Sequence, residues 1–195
     1  LDFSNNTALY SLICNNNQLN GLDVTSNTAL TTLSCYNNPL NNLDVTSNTA
    51  LTTLFCYNNE LTNLDVSYNT SLTYMRCDAN QLTSLDISNN TALTGLECYG
   101  NSLTTLDVSN NTTLTHLKCQ SNQLTSLDVS NNTALIDLRC FDNQLTYLNM
   151  KNGITDGLTY FKTYNNSLTC IEVNADDVAY ATANWTSGNS NIDAG

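Results

Sequence analysis

The chain has 195 residues, 41% of them hydrophobic, and its 17 acidic residues outnumber the five basic ones, for a formal net charge of −12. Because phosphate backbones are bound through clustered Lys and Arg, this balance argues against a nucleic-acid partner. No apolar run approaches the roughly 18 residues that cross a bilayer, so we predict no membrane insertion. The chain starts at Leu1 inside a repeat, and we expect signal or sorting segments to lie outside it.

A 21-residue repeat runs through most of the chain. The repeat segments LTTLSCYNNPL and LTHLKCQSNQL share the consensus Lxx[L/M]xCxxNxL. An eighth segment, LTYFKTYNNSL from Leu158, follows a turn with two extra residues. Fixed periodicity of this kind predicts a solenoid. The repeat is marked by a column of cysteines, one at the same position of each turn: Cys14, Cys35, Cys56, Cys77, Cys98, Cys119 and Cys140.

This frame resembles the leucine-rich repeat over about residues 1–168, with Cys at an inward strand position often held by Leu. The segments LDISNNTALT and LDVSNNTALI are also similar to segments of secreted or surface leucine-rich repeat proteins of flavobacteria and other Bacteroidetes. The resemblance implies a curved, right-handed parallel β-solenoid with one strand per repeat on a concave face, and a binding role. The linking half is short and rich in Thr, Val and Asn, so we predict an extended or turn-like convex side.

The end of the chain departs from the repeat. A solenoid needs its last turn covered, and LTCIEV followed by YATANW resembles the cap of those bacterial proteins. We therefore divide the chain into a solenoid of about eight repeats, residues 1–168, and a C-terminal cap, residues 169–195. We expect Val178, Tyr180 and Trp185 to form the cap around a short helix at 175–183. The first repeat has no comparable cap, which leaves self-association open.

Asparagine forms two further columns. An Asn side chain both donates and accepts hydrogen bonds at corners where the backbone leaves its ladder, so we predict structural roles for both. The first column is Asn17, Asn38, Asn59, Asn80, Asn101, Asn122, Asn143 and Asn166, and the second is Asn6, Asn27, Asn48, Asn69, Asn90, Asn111 and Asn132.

An acidic column places carboxylates about 4.8 Å apart on successive turns. Two roles are open. Each carboxylate accepts hydrogen bonds within its own turn, or the column holds a row of Ca²⁺ ions, which prefer oxygen ligands. One carboxylate per turn is a thin ligand set, which favours the turn role, so we predict no metal and no cofactor. Besides Asp2, the candidates are Asp23, Asp44, Asp65, Asp86, Asp107 and Asp128.

The concave face is where the repeats differ from one another. Strand alternation puts Leu33 and Cys35 inward and three columns outward, and these columns hold four of the five basic residues and eight aromatic ones. Exposed aromatics interspersed with Arg are typical of binding surfaces, although strands also favour aromatics. The predicted site is Tyr74, Arg76, Asp78, Glu97, Tyr99, His116, Lys118, Gln120, Asp137, Arg139, Phe141, Tyr160, Lys162 and Tyr164, with a neutral secondary part at Tyr36, Phe55 and Tyr57.

Balanced charges on this face favour a protein partner, and its Tyr, Asn and Gln side chains also suit a glycan. A structural spacer in a larger adhesin, calcium-dependent adhesion and ice binding by threonine columns stay open as well. No nucleophile motif accompanies the single histidine, His116, so we predict no catalysis. Replacing Arg76, Tyr99, Lys118 and Arg139 together is expected to abolish binding and leave the solenoid folded.

We interpret the cysteines as buried thiols. Cβ atoms on neighbouring parallel strands are about 4.8 Å apart, whereas a disulfide needs about 3.8 Å. A linear stack also lacks the tetrahedral geometry of a zinc site. The column then serves as a ruler that identifies the inward positions.

Overall fold

The computed structural model describes residues 2–185 and 192–193. Each repeat contributes one three-residue strand to the main, eight-stranded sheet. The strands pair in parallel and in chain order, and every inward Leu, Met or Phe lies beside its counterpart. Successive partners are 21 residues apart, as in Leu33 beside Leu54, except for the last step from Leu138 to Phe161. The sheet consists of β1 (Ser11–Ile13), β2 (Thr32–Ser34), β3 (Thr53–Phe55), β4 (Tyr74–Arg76), β5 (Gly95–Glu97), β6 (His116–Lys118), β8 (Asp137–Arg139) and β10 (Tyr160–Lys162).

The opposite side of the solenoid is extended and turn-like, as the sequence predicts. A second parallel sheet forms toward the C-terminus from β7 (Ser126–Asp128), β9 (Tyr147–Asn149), β11 (Ile171–Glu172) and β12 (Ile192–Asp193). Its strand order is β12-β11-β9-β7, and an isolated bridge joins Asp23 and Asp44 earlier in the chain. The molecule is thus a parallel β-solenoid of about eight turns.

The core is a continuous stack of aliphatic side chains and thiols. In one repeat Leu33, Cys35, Leu40 and Val45 are all fully buried, and the same positions are buried in the other repeats except at Leu19 and Phe161, which are partly buried. The seven ladder cysteines are buried and form no disulfide, so the interpretation as small apolar core residues is confirmed. Burial raises the pKa of the Cys140 thiol to about 12 and raises that of Cys35 as well.

We expect the ladder thiols to be unreactive in the folded protein. In a Cys170→Ser variant, a thiol-reactive aromatic disulfide at pH 8 should label none of them until denaturant is added, because a buried neutral thiol is neither nucleophilic nor accessible. Seven thiols should then react without reductant. A count below seven after denaturation would show cross-links within the ladder.

Both asparagine columns tie successive turns together. The Asn90 amide, which is fully buried, donates to the carbonyls of Val66 and Asn69, each at 2.9 Å. In the other column, Asn80 donates to the Cys77 and Cys56 carbonyls at 3.0 and 3.1 Å. The predicted structural role is confirmed, because these amides pair carbonyl groups at corners where the strand ladder ends.

A third polar column, which the sequence analysis missed, adopts positive φ at the turn after each strand. Its members include Asn16, Asn37 and Asn58, with φ of 57°, 55° and 52°. Asn37 donates to Asn16 Oδ1 at 2.6 Å, and Asn58 donates to Asn37 Oδ1 at 2.7 Å. Asn, Asp or Gly, which tolerate left-handed backbone, take this position in most repeats, including Gly100 with φ of 63°, whereas Ala79 and Ser121 adopt it with φ of 51° and 55°.

Helical residues follow the last turn. A 3₁₀ turn, Ala175–Asp177, leads into α1 (Val178–Asn184), and the Trp185 ring lies 4.2 Å from the Phe161 ring. Trp185 and Ala181 are buried, whereas Tyr180 is 40% exposed, so the expectation that Tyr180 packs in the cap is wrong. At seven residues α1 is too short to cross a bilayer, and no other helix in residues 2–185 or 192–193 is long and apolar enough to do so.

Candidate ligand-binding face

The predicted site residues lie together on the solvent side of the eight-stranded sheet, which we call the strand face. It comprises the outward side chains of β1–β6, β8 and β10 and the residue that follows each cysteine position. Strand register aligns one of its columns as Phe55, Arg76, Glu97, Lys118, Arg139 and Lys162. Alternation along the strands therefore assembles the face, as expected.

Arg76 sits at the centre of an ion-pair network. Its Nε and Nη2 atoms donate to the two carboxylate oxygens of Asp78 at 3.0 and 3.1 Å, and Nε lies 3.3 Å from Glu97 Oε2. Its guanidinium also lies 3.9 Å from the centre of the Tyr57 ring, and Nη2 donates to the Tyr99 hydroxyl at 3.3 Å. One side chain therefore organises two carboxylates and two rings.

Glu97 connects this network to the next strands. Tyr74 Oη and Lys118 Nζ each donate to Glu97 Oε1 at 2.8 Å. Burial by itself would raise the pKa of Glu97, but the hydrogen bonds from Lys118 and Tyr74 and the charge of Arg76 hold it below its ordinary value. Burial and the bond to Glu97 raise the pKa of Tyr74 to about 12, which keeps its hydroxyl a donor.

A glycine makes room for this arrangement. The Tyr74 ring lies over the backbone of Gly95, where a Cβ atom would collide with the Cδ2 and Cε2 atoms of the ring. Other repeats place Ser, Thr, Tyr, His or Asp at the position of Gly95. The absence of a side chain there lets Tyr74 reach over Gly95 to Glu97, so Gly95 supports the network through the space that it leaves.

Arg139, on the strand next to Lys118, binds a carboxylate and lies over an aromatic ring as Arg76 does. Its Nε and Nη2 atoms donate to the Asp137 carboxylate oxygens, both at 2.9 Å, and its guanidinium lies 5.1 Å from the Tyr160 ring centre. Asp78, Glu97 and Asp137 are 2%, 5% and 4% exposed. The sequence predicts that these acidic residues balance the basic ones at the surface. In the structure they lie beneath them.

This burial changes the expected result of the fourfold substitution. Replacing Arg76, Lys118 and Arg139 would leave buried carboxylates without counter-charges, which destabilises the fold. The fourfold variant is therefore expected to be destabilised, and a test of binding has to use residues that hold no buried partner.

Aromatic pairs occupy both ends of the strand face. The Tyr36 and Tyr57 rings stack at 4.3 Å with an interplanar angle of 9°, and those of Phe141 and Tyr164 stack at 4.5 Å and 17°. Phe55 meets Tyr74 edge to face at 5.9 Å. The rings are thus ordered by one another before any ligand binds, which lowers the entropic cost of binding.

The single histidine contributes no catalytic pair. Thr115 Oγ1 donates its one proton to the Thr94 carbonyl at 2.8 Å, so it accepts from His116 Nδ1, also at 2.8 Å. Asp137, the neighbour of His116 across the sheet, has both oxygens bound to Arg139. Gln120, another predicted site residue, is half-buried.

The acidic column lies on the other side of the solenoid, where each carboxylate serves its own turn. Asp23 Oδ1 accepts from the Thr25 hydroxyl at 2.7 Å and from the Thr25 backbone N–H at 3.0 Å, and Asp44 and Thr46 repeat this geometry. These bonds hold the pKa of Asp23 below 3.8. Asp107 and Asp128 are among the residues that line a cavity of about 390 Å³. Within the described ranges, no three His, Cys, Asp or Glu side chains come together to hold a metal.

We expect these turns to make stability pH-dependent in the acid range. Because the folded pKa of each column carboxyl lies below its ordinary value of 3.8, the contribution is present above that value and is lost as pH falls through the folded pKa. The melting temperature should hold to about pH 5 and then fall. Asp65→Asn with Asp86→Asn should flatten the fall. A chelator should leave the melting temperature unchanged, and a decrease would instead support calcium.

Comparisons with known proteins bear on this fold. No family model and no curated protein matches the chain. The functional domain of InlJ from Listeria monocytogenes, which includes a cysteine ladder, is 42% identical with a TM-score of 0.81, and the alignment covers 89% of this chain and 41% of that one. An internalin, inlF, from the same species is 23% identical with a TM-score of 0.75, over 97% of this chain and 56% of that one.

A plant structure adds a case with a bound partner. The leucine-rich repeat ectodomain of the receptor kinase GASSHO1/SCHENGEN3 from Arabidopsis thaliana, in complex with Casparian strip integrity factor 2, is 23% identical with a TM-score of 0.67, over 77% of this chain and 22% of that one. The chain thus spans about half or less of the length of these proteins. It has the leucine-rich repeat fold, a parallel β-solenoid with a cysteine ladder.

Proposed function

We propose that the chain is a non-catalytic binding domain of a secreted or cell-surface bacterial protein, and that it recognises a protein partner through the strand face. The observation that carries the proposal is the preorganised network there. Arg76, Glu97 and their aromatic neighbours hold one another in place, while the remaining columns repeat the same residues for structural reasons. Ordered aromatic and Arg side chains are typical of protein interfaces.

The similar proteins support this proposal. Bacterial internalins have the same fold, and the InlJ domain shares the cysteine ladder at 42% identity. The plant ectodomain has a second molecule in its complex, which supports partner binding by this fold in general. Localisation at the cell surface and the absence of catalysis are carried over from this likeness as part of the proposal.

A glycan is the second candidate ligand, favoured by the exposed rings of Tyr160 and Tyr164, which are 52% and 38% accessible. Against a glycan, Tyr36 and Tyr57 stack on each other, so one face of each ring is already covered.

The case for ice binding is weakened because the hydroxyls of Thr52 and Thr94 donate to backbone carbonyls. A purely structural spacer is indicated if the unsubstituted chain captures no partner.

Self-association is a separate possibility at the first strand. Tyr10 and Ile13 are each 71% exposed beside β1, so this edge presents apolar side chains to solvent. Sedimentation velocity with Ile13→Ser distinguishes the cases: a dimer that the substitution dissolves supports self-association, and a monomer at every concentration removes it.

The test compares two triple variants as bait for surface-biotinylated proteins in a capture experiment. The strand-face variant carries Tyr36→Asn, Tyr164→Asn and Lys162→Ser, which are residues that other repeats place at these positions. The control carries Tyr68→Asn, Tyr147→Ser and Lys151→Gln elsewhere on the surface. We expect the first variant to lose the partner and the second to keep it. The opposite pattern, or a partner kept by both variants, would place binding off the strand face, and an unsubstituted bait that captures no partner would support a spacer.

A further inference from the structure

Lys162 differs from the other basic residues of the chain. Arg76, Lys118 and Arg139 pair with buried carboxylates on the strand face, and Lys151 pairs with Glu172 at 3.2 Å. Lys162 is exposed and has no ion pair among the described residues. In a chain with a net charge of −12, it is therefore a cation whose charge stays available to a ligand.

The strands beside Lys162 present cations outward. Arg139 lies next to Lys162 in register, and Lys118 lies next to Arg139. The side chains of Lys118 and Arg139 are 22% and 28% exposed, whereas those of their partners Glu97 and Asp137 are 7% and 5% exposed. On β6 and β8 the positive groups thus lie outward of the carboxylates that they bind, and Lys162 on β10 is exposed.

Two exposed rings flank the ammonium group. Tyr160 and Tyr164 stand two residues before and after Lys162, so strand alternation places all three on the same side of the chain. Their rings are 52% and 38% exposed. Tyr164 also stacks on Phe141, and the Arg139 guanidinium lies over Tyr160. The rings are held by neighbours and still offer apolar area beside the cation.

We propose that this strip, Tyr160, Lys162 and Tyr164 with Arg139 beside it, binds an acidic segment of the protein partner. Lys162 pairs with a carboxylate of that segment, and the two rings cover the apolar side chains next to it. The inference rests on the proposed function and narrows it to one end of the strand face and one partner chemistry. A protein segment fits better than an acidic glycan, because the Phe141 ring covers one face of Tyr164 that a sugar would use.

A random dodecapeptide library displayed on phage tests the proposal directly. It is selected in parallel on the full chain, on a Lys162→Glu variant and on a Lys151→Glu variant, which makes the same charge change in the turn that follows β9. Neither substitution strands a buried carboxylate. Peptides from the first and third selections should be enriched in Asp and Glu beside apolar residues, and the Lys162→Glu selection should favour Lys and Arg. Individual acidic peptides should bind Lys162→Glu about tenfold more weakly.

The outcomes separate this inference from the proposed function. Selected peptides that bind the full chain but not the strand-face variant, and that show no enrichment in Asp and Glu, would overturn the role of Lys162. Strand-face binding would then remain intact. Peptides insensitive to every strand-face substitution would overturn both. A parallel array of sialylated and uronate oligosaccharides covers the other source of carboxylates, and binding there that depends on Lys162, without acidic peptides, would also overturn the proposal.

Discussion

Replacing Arg76 with alanine is expected to lower the free energy of unfolding by about 3 kcal/mol. The substitution leaves the carboxylates of Asp78 and Glu97 buried beside each other with only Lys118 as a counter-charge. It also removes the guanidinium from the Tyr57 ring. Because Arg76 itself is 26% exposed, the loss should lie at the lower end of what breaking a fully buried pair costs. Urea unfolding followed by circular dichroism measures it.

Two controls identify the cause. Lys162→Ala removes a positive charge that has no ion pair among the described residues, and should change stability by less than about 0.5 kcal/mol. Adding Asp78→Asn to Arg76→Ala should recover part of the loss, because a neutral amide needs no counter-charge. A deficit that is the same in the single and double variants would show that packing, and not charge, makes Arg76 important.

The second large effect is expected at the inner asparagine column. In Asn90→Asp the buried amide that donates to the carbonyls of Val66 and Asn69 becomes an acceptor 2.9 Å from each of them. The introduced carboxylate is repelled by both oxygens and is cut off from water, so we expect a loss of about 4 kcal/mol or more. That is a large part of the total stability of an ordinary domain.

The adjacent residue supplies the matched control. Asn89 is exposed and donates to the Ser67 carbonyl at 3.3 Å, so Asn89→Asp adds the same charge without burial and should cost less than about 1 kcal/mol. Burial raises the pKa of a carboxyl at position 90, so the deficit should be smallest in acid and widen as pH rises. Equal losses at positions 89 and 90 would contradict the structural role assigned to the column.

Sequence periodicity was sufficient to predict the architecture. The cysteine spacing sets the register of the strands, and alternation around Leu33 and Cys35 correctly separates the core from the strand face. The turn role of Asp23 was also predictable, because Asp and Thr two residues apart form such turns from local bonds alone. These features depend on neighbours close in sequence or on the repeat itself.

Other features depend on contacts that the repeat does not encode. The burial of Glu97 requires Tyr74 from one neighbouring strand, Lys118 from the other, and the empty position at Gly95. The residue types at equivalent repeat positions therefore place these residues on one face, but they do not show which charged side chains are buried beneath others. The second sheet was missed for a similar reason, because three-residue segments such as Ser126–Asp128 become strands only where successive turns come close enough to bond.

The most direct test of strand-face binding is an affinity comparison between two tyrosines of equal exposure. Tyr164 on the strand face and Tyr147 on the second sheet are both 38% exposed. Binding of the captured partner to Tyr164→Asn and to Tyr147→Ser is measured by isothermal titration calorimetry. We expect the dissociation constant to rise at least about tenfold for Tyr164→Asn and less than about twofold for Tyr147→Ser. Equal effects, or a larger effect at Tyr147, would contradict binding through the strand face.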